Sequence, residues 1–311
     1  MVVLQLLGGL ALLFVGGDLF VRGASAIALR IGVSRLTIGL TVVAFGTSAP
    51  ELIVSLDAAM QGVGDISLGN VVGSNIANVS LILGLSALVH PLAVQAKVVR
   101  WDAPIMVITS LCLVAVMADG GASRFDGTVL LLGLIAFVGF TYWEGKRETQ
   151  EIQEEFTTVA PAERTGTAAN LLAFLGGLTL LIVGGQLLVT GAVSTAVSLG
   201  VSHATIGLSI VAIGTSLPEA VTSVVASFRG HGDIAIGNVV GSNIFNVLGI
   251  LGLTSVVSPL SLGAITAIDL AVMVATAFAL ALLLLWRGRL GRLEGGLLLM
   301  AFVAYTGWLV V

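Results

Sequence analysis

Apolar stretches of helix length follow one another along almost the whole chain, separated by short polar or glycine-rich breaks. A membrane-spanning helix needs about 20 mostly apolar residues. Ten stretches meet that length, near 2–22, 36–61, 66–90, 103–119, 124–145, 170–195, 204–229, 234–258, 266–287 and 292–310. They are continuously apolar, whereas a barrel strand would alternate in polarity over about ten residues. The pattern therefore predicts an all-α integral membrane protein with ten transmembrane helices. No basic segment precedes residues 2–22 and no convincing small-residue cleavage site follows, so that run is expected to be a retained helix and not a signal peptide.

One block of this pattern is written twice. Gly39 to Gly84 recurs without a gap as Gly207 to Gly252, with roughly 28 of 46 positions identical. The match continues upstream, Gly8-Gly9-Leu10 answering Gly176-Gly177-Leu178 and Gly32-Val33-Ser34 answering Gly200-Val201-Ser202. The chain divides into a first half, 1–143, a polar segment, 144–169, and a second half, 170–311. Five is an odd number of spans, so the second half enters the membrane from the opposite side. Two inverted five-helix repeats are an architecture of secondary transporters, with the site at the midplane where the halves meet.

Charge placement orients the chain. With the N-terminus outside, Arg22, Arg30, Arg35, Lys97, Arg100, Lys146, Arg147, Arg164, Arg229, Arg287, Arg289 and Arg292 fall on the inner side, and Arg124 alone is left outside. The positive-inside rule then selects an inner-membrane, multi-pass protein with both termini outside. The net charge of −4 does not oppose this, because acidic residues contribute little to topology. Composition agrees: 57% of residues are hydrophobic and 10% charged, against about a quarter charged in soluble domains. The single Cys112 excludes an intramolecular disulfide and is expected to be a buried filler. The Glu-rich run within 144–169 lacks the Asp/Asn-Gly spacing of a calcium loop, so a solvated cytoplasmic linker is expected.

The candidate chemistry sits in the duplicated block. Each copy sets one glutamate, Glu51 or Glu219, inside an apolar segment, and an ionisable group there marks a functional site by default. Pro50 and Pro218 have no N–H to give the carbonyls of Gly46 and Gly214. Each helix is therefore expected to break there, which membranes tolerate where the freed carbonyls are buried in protein or line a cavity. Four-residue spacing puts Thr47 with Glu51 on one face, with Ser48 beside them, and repeats this with Thr215, Ser216 and Glu219. The same spacing joins Ser74 to Asn78 and Ser242 to Asn246. Gly69, Gly73, Gly237 and Gly241 let the backbones approach, so the polar faces converge.

Carboxylate, hydroxyl, amide and carbonyl oxygens suit hard cations such as calcium or sodium. Paired His or Cys ligands for zinc or copper do not accompany them. His90, His203 and His231 lie near span ends and do not read as ligands. Gly16-Gly17 and Gly184-Gly185 read as packing surfaces.

At these residues the chain resembles the sodium/calcium exchangers of the cation/calcium antiporter superfamily, prokaryotic type. Paired GTSxPE and GNVVGSN elements at one offset carry the resemblance, which covers essentially all 311 residues. It implies cation ligands at Thr47, Ser48, Glu51, Ser74 and Asn78 with the carbonyl of Ala44. In the second half it implies Thr215, Ser216, Glu219, Ser242 and Asn246 with the carbonyl of Ala212. Glu51 and Glu219 would supply the charge to calcium or sodium, and Thr47 and Thr215 a carbonyl or hydroxyl. It further implies that the first and sixth spans slide to switch access. Related exchangers often carry Asp where this chain has Asn246, and Asn78 is neutral too.

The function expected is thus secondary active exchange of calcium for sodium by alternating access, with inorganic cations as cargo and the lipid bilayer as surroundings. No enzyme activity, cofactor, nucleic acid or obligatory protein partner is indicated. The alternatives are a proton-coupled calcium or other cation antiporter, a passive channel, and an intramembrane aspartyl protease. The last arises because Gly62-Val63-Gly64-Asp65 and Gly230-His231-Gly232-Asp233 resemble that enzyme's GxGD motif. Aspartyl catalysis needs two carboxylates sharing a proton, and inverted topology would set Asp65 and Asp233 on opposite faces. Each is expected instead to cap the helix that follows it.

Overall fold

The computed structural model describes residues 2–156, 167–198, 212–263 and 265–310. In chain order the helices are α1 (Val2–Ile31), α2 (Arg35–Thr47), α3 (Ala49–Met60), α4 (Gly64–Val89), α5 (Val98–Met117) and α6 (Arg124–Phe156). They continue as α7 (Thr167–Ser198), α8 (Ala212–Thr215), α9 (Leu217–Phe228), α10 (Gly232–Val257), α11 (Ala267–Arg287) and α12 (Arg292–Val310). Among the described residues seven are long and apolar enough to cross a membrane, or eight if α2 and α3, bent by 45°, form one span. The protein is thus an all-helical membrane protein. The seventh expected span is represented by α9, a 12-residue apolar helix, and residues 199–211 lie outside the description.

Two helices occupy the centre. The apolar stretch of α10 is wholly buried and 78% of that of α4, against 22% for α1 and 28% for α7. Their sequences explain the preference, since both are rich in Gly, Ser and Asn. Such residues gain little from lipid but let backbones close and side chains bond.

The two-residue strands β1 (Leu92–Ala93), β2 (Gly121–Ala122), β3 (Leu260–Ser261) and β4 (Arg289–Leu290) pair across the halves, β1 with β4 and β2 with β3, both antiparallel. Gly64 at the start of α4 lies against Leu260, and Gly232 at the start of α10 against Leu92. Each central helix therefore begins beside the strand that follows the other. The outer pair α1 and α7 also runs antiparallel. Gly9 meets Gly184 and Leu188, Gly16 meets Gly177 and Leu181, and Gly23 meets Phe174, so numbers fall along one helix as they rise along the other. Small residues make this contact possible, and a separate apolar cluster of Leu13, Phe20, Ala24, Val43, Phe174 and Leu181 accompanies it.

Described basic residues gather at the β1/β4 end. Arg35 bonds His231 at 3.2 Å, Lys97 donates to Thr37 at 3.2 Å, Arg292 donates to the Leu88 carbonyl at 3.2 Å, and Arg229 pairs with Asp18 of α1. Burial first, and Arg35 next, hold the His231 imidazole below its ordinary pKa, which suits it to accept that bond.

The helix α6 runs on into the polar segment 144–169 as far as Phe156. Two expectations need correction. Cys112 is exposed on α5 and is no buried filler. Asp65 and Asp233 are not the capping residues: Val63 and His231 occupy those positions without a side-chain capping bond, and the acids sit within the first turn. There their charge still complements the helix dipole.

Candidate cation-binding site

Both halves break their helices at one place. Ser48 leaves helical geometry with φ −81° and ψ 7°, and Pro50 opens α3 within its first two positions. Ser216, with φ −86° and ψ 8°, and Pro218 repeat this before α9. Proline fits there because the first helical turn has no partner for its missing N–H. Thr47 and Glu51 consequently belong to different helices and reach different partners, where unbroken spacing suggests a single face. The Ala44 carbonyl already accepts the Ser48 N–H at 3.0 Å and the Thr47 hydroxyl at 3.4 Å. Ala212 opens the short helix α8.

The bonds are exchanged between the halves. The Ser48 hydroxyl donates to Glu219 Oε1 at 2.8 Å, and the Ser216 hydroxyl donates to Glu51 Oε1 at 2.9 Å. Ser48 also lies 3.1 Å from Ser242 Oγ, and Ser216 3.2 Å from Ser74 Oγ. Thr47 donates to Asn238 Oδ1 at 3.0 Å and Thr215 to Asn70 Oδ1 at 3.4 Å. Each carboxylate belonging to one repeat is thus held by the serine at the other repeat's break. Glu51 and Glu219 are 2% and 1% exposed, so water does not solvate them.

Central helices α4 and α10 supply the amides. Asn78 and Asn246 each begin a π-helical stretch, Asn78–Ile82 and Asn246–Leu251. Such an insertion turns the following residues relative to the preceding ones and is frequent at functional sites. The Asn78 amide nitrogen donates to Asn243 Oδ1 and that of Asn246 to Asn75 Oδ1, both at 3.0 Å. Four buried oxygens are left without a hydrogen-bond partner: Glu51 Oε2, Glu219 Oε2, Asn78 Oδ1 and Asn246 Oδ1. Each such atom costs about 1–3 kcal/mol. A hard cation, which bonds oxygen and needs no proton, relieves that cost. No cluster of three or more His, Cys, Asp or Glu exists among the described residues. Neutral oxygens must therefore complete any coordination shell.

Asn70, Asn75, Asn238 and Asn243 were not singled out by the sequence reading. Asn70 anchors the break by donating to the Glu51 carbonyl at 3.1 Å and to Ser55 at 2.9 Å. Asn238 does likewise with the Glu219 carbonyl at 3.4 Å and Ser223 at 3.0 Å. The signal was present: Asn70, Ser74 and Asn78 recur every four residues, and all four asparagines are identical in both copies. His90 bonds the Pro91 carbonyl and His231 bonds Arg35, away from the site, and His203 lies outside the described residues. Asp65 and Asp233 stand at opposite ends of the central helices and cannot share a proton.

A buried all-oxygen cluster, assembled by two repeats inside a helical membrane protein, defines a cation transporter and not an enzyme. The chain belongs to the sodium/calcium exchanger protein family, whose model matches residues 1–143 and 169–311. It is 41% identical over 303 residues to CaxA of Alkalimonas amylolytica, covering 96% of this chain and 95% of that one. It is 34% identical over 337 residues to the sodium/calcium exchanger MaX1 of Methanosarcina acetivorans, covering 97% and 96%. The fold matches the sodium-calcium exchanger NCX_Mj soaked with zero Na+ and Ca2+ with a TM-score of 0.87 at 33% identity, covering 99% and 100%. The protein is a cation/calcium antiporter.

Proposed function

We propose that this antiporter exchanges calcium for sodium by alternating access at a midplane site formed by Thr47, Ser48, Glu51, Ser74 and Asn78 with Thr215, Ser216, Glu219, Ser242 and Asn246. The observation that carries the reading is the crossed pairing of Ser48 with Glu219 and of Ser216 with Glu51, beside four buried oxygens that lack donors. The carbonyls of Ala44 and Ala212 complete the proposed set. Two carboxylates give two formal negative charges, which one calcium ion balances. Sodium ions compete for the same oxygens, so both cargoes do not occupy the site together.

Coupling follows from the cost of moving the acids. A bare carboxylate at the membrane centre costs about 2.5–3.5 kcal/mol or more. Access therefore alternates only when cations neutralise Glu51 and Glu219, and the empty site does not cross. The ten-span inverted repeat belongs to this proposal. The antiparallel contact of α1 with α7 and the swapped strand pairs support it. Basic residues at the β1/β4 end favour that end as cytoplasmic, with both termini outside.

Calcium uptake by vesicles loaded with sodium tests the reading. At clamped pH, uptake is expected to rise with the outward sodium gradient and to vanish without it. Uptake driven equally well by a proton gradient alone would replace sodium with protons as the driving ion.

A further inference from the structure

The amide nitrogens of Asn78 and Asn246 are engaged by a second asparagine pair, and the chain of bonds has a direction. Main-chain carbonyls fix it. The Asn243 carbonyl accepts the Asn75 amide nitrogen at 3.3 Å, and the Asn75 carbonyl accepts the Asn243 amide nitrogen at 3.2 Å. Methionine sulfurs border the same nitrogens, Met273 Sδ at 3.9 Å from Asn75 and Met106 Sδ at 3.7 Å from Asn243. A backbone carbonyl cannot rotate into a donor, so each of these side chains must turn its nitrogen toward the carbonyl and its oxygen the other way. Asn75 Oδ1 then faces Asn246 and Asn243 Oδ1 faces Asn78, each accepting an amide N–H at 3.0 Å. Reversing Asn75 would set oxygen against carbonyl at one end and nitrogen against nitrogen at the other.

We infer that Asn75 and Asn243 are positioning residues that set the polarity of the transport site. They take up the donor ends of Asn246 and Asn78, so those amides present only Oδ1, the atoms left without partners, to the cargo. An asparagine free to rotate would offer an N–H in half of its orientations and repel a cation. This arrangement gives a site with only two carboxylates further oxygens at no cost in charge. It also crosses the repeats, since Asn75 on α4 sets Asn246 on α10 and Asn243 on α10 sets Asn78 on α4. The inference rests on the reading of this site as the calcium site.

The experiment uses the full-length protein reconstituted in liposomes, with sodium-driven uptake of radioactive calcium as readout. Four proteins are compared: wild type, N243L, N78D and N78D/N243L. Leucine keeps the volume and removes the acceptor for Asn78, and removing an outer partner of a metal ligand costs roughly 10–100-fold in affinity. N243L is expected to raise the calcium KM by that factor, with the maximal rate changing far less. Aspartate has two oxygens and no wrong way round, so the N243L penalty should disappear or reverse in the N78D background. Equal N243L penalties in both backgrounds, agreeing within about twofold, would show a merely structural role and overturn the proposal. Wild-type protein without calcium uptake would instead overturn the transport reading itself. The mirror set N75L, N246D and N75L/N246D makes the same comparison if N243L fails to fold.

Discussion

At the scale of single residues, the proposed site rests on two carboxylates, each held by the serine at the other repeat's break. Glu51→Gln keeps an oxygen for the Ser216 hydroxyl and nearly the same volume, but removes half of the negative charge. Removing one partner from a buried ionic contact costs about 3–5 kcal/mol, which is at least about a hundredfold in affinity. Calcium uptake by Glu51→Gln and by Glu219→Gln is therefore expected to fall below detection while the proteins still purify as folded species. Uptake at a tenth of wild type or more would remove the carboxylates from the mechanism. Ser216→Ala deletes one hydrogen bond to a charged group, worth about 1.5–3 kcal/mol. Its calcium KM should rise roughly tenfold or more, and Ser48→Ala should match it because the two bonds are equivalents at 2.9 and 2.8 Å. A large inequality between these variants would mean that the halves do not contribute alike. Glu51 and Glu219 were legible in the sequence because acids stand out in apolar runs. Asn75 and Asn243 were not, since an amide's role lies in which way it faces, and a backbone carbonyl of the other repeat decides that.

At the scale of elements, the outer pair of helices is held by contacts that tolerate no added atom. A Cβ at Gly9 would lie 2.8 Å from the Gly184 carbonyl oxygen, and one at Gly184 would lie 2.9 Å from the Gly9 carbonyl oxygen. Backbone cannot move aside as a side chain does, so Gly9→Ala and Gly184→Ala must separate α1 from α7. Overpacking of this kind costs about 1–3 kcal/mol, and each kcal/mol lowers Tm by about 2–4 °C. Gly8 and Gly176 have nothing within 4 Å of the same construction. Alanine at those two positions is expected to leave Tm unchanged or raise it slightly, since Gly is the poorer helix former. Thermal unfolding of the four purified variants checks the contrast, and equal behaviour would show that glycine spacing does not set this interface. The glycine repeats were readable as packing surfaces from the sequence. The continuation of α6 to Phe156 was not, because polarity announces solvent exposure and a solvated helix is as polar as a loop. Cys112 failed for a related reason: in a membrane an apolar run is as much outside as inside, so hydrophobicity alone cannot assign burial.

At the scale of the molecule, the two ends of the bundle differ in basic charge, and the proposed orientation rests on that difference. Trp101, Trp143 and Trp286 lie near helix ends on the side where Arg35, Lys97, Arg229, Arg287, Arg289 and Arg292 collect, and all three are exposed, Trp286 by 88%. Indole rings favour the lipid–water interface, and basic residues favour the cytoplasmic side of it. The opposite end, where β2 pairs with β3, holds Arg124 as its basic residue among those described. On the proposed orientation the charge asymmetry alone chooses which end of the bundle faces the cytoplasm, without any difference between the paired sites. Single cysteines in a Cys112→Ser background read this out. Asp119 precedes β2 and Arg289 lies in β4, and both are exposed. In intact right-side-out cells a membrane-impermeant maleimide is expected to label Asp119→Cys at once and Arg289→Cys only after permeabilisation. The reverse order would place both termini inside and overturn the proposed orientation. Labelling of each cysteine from both sides in equal measure would show that the charge asymmetry fails to choose an orientation.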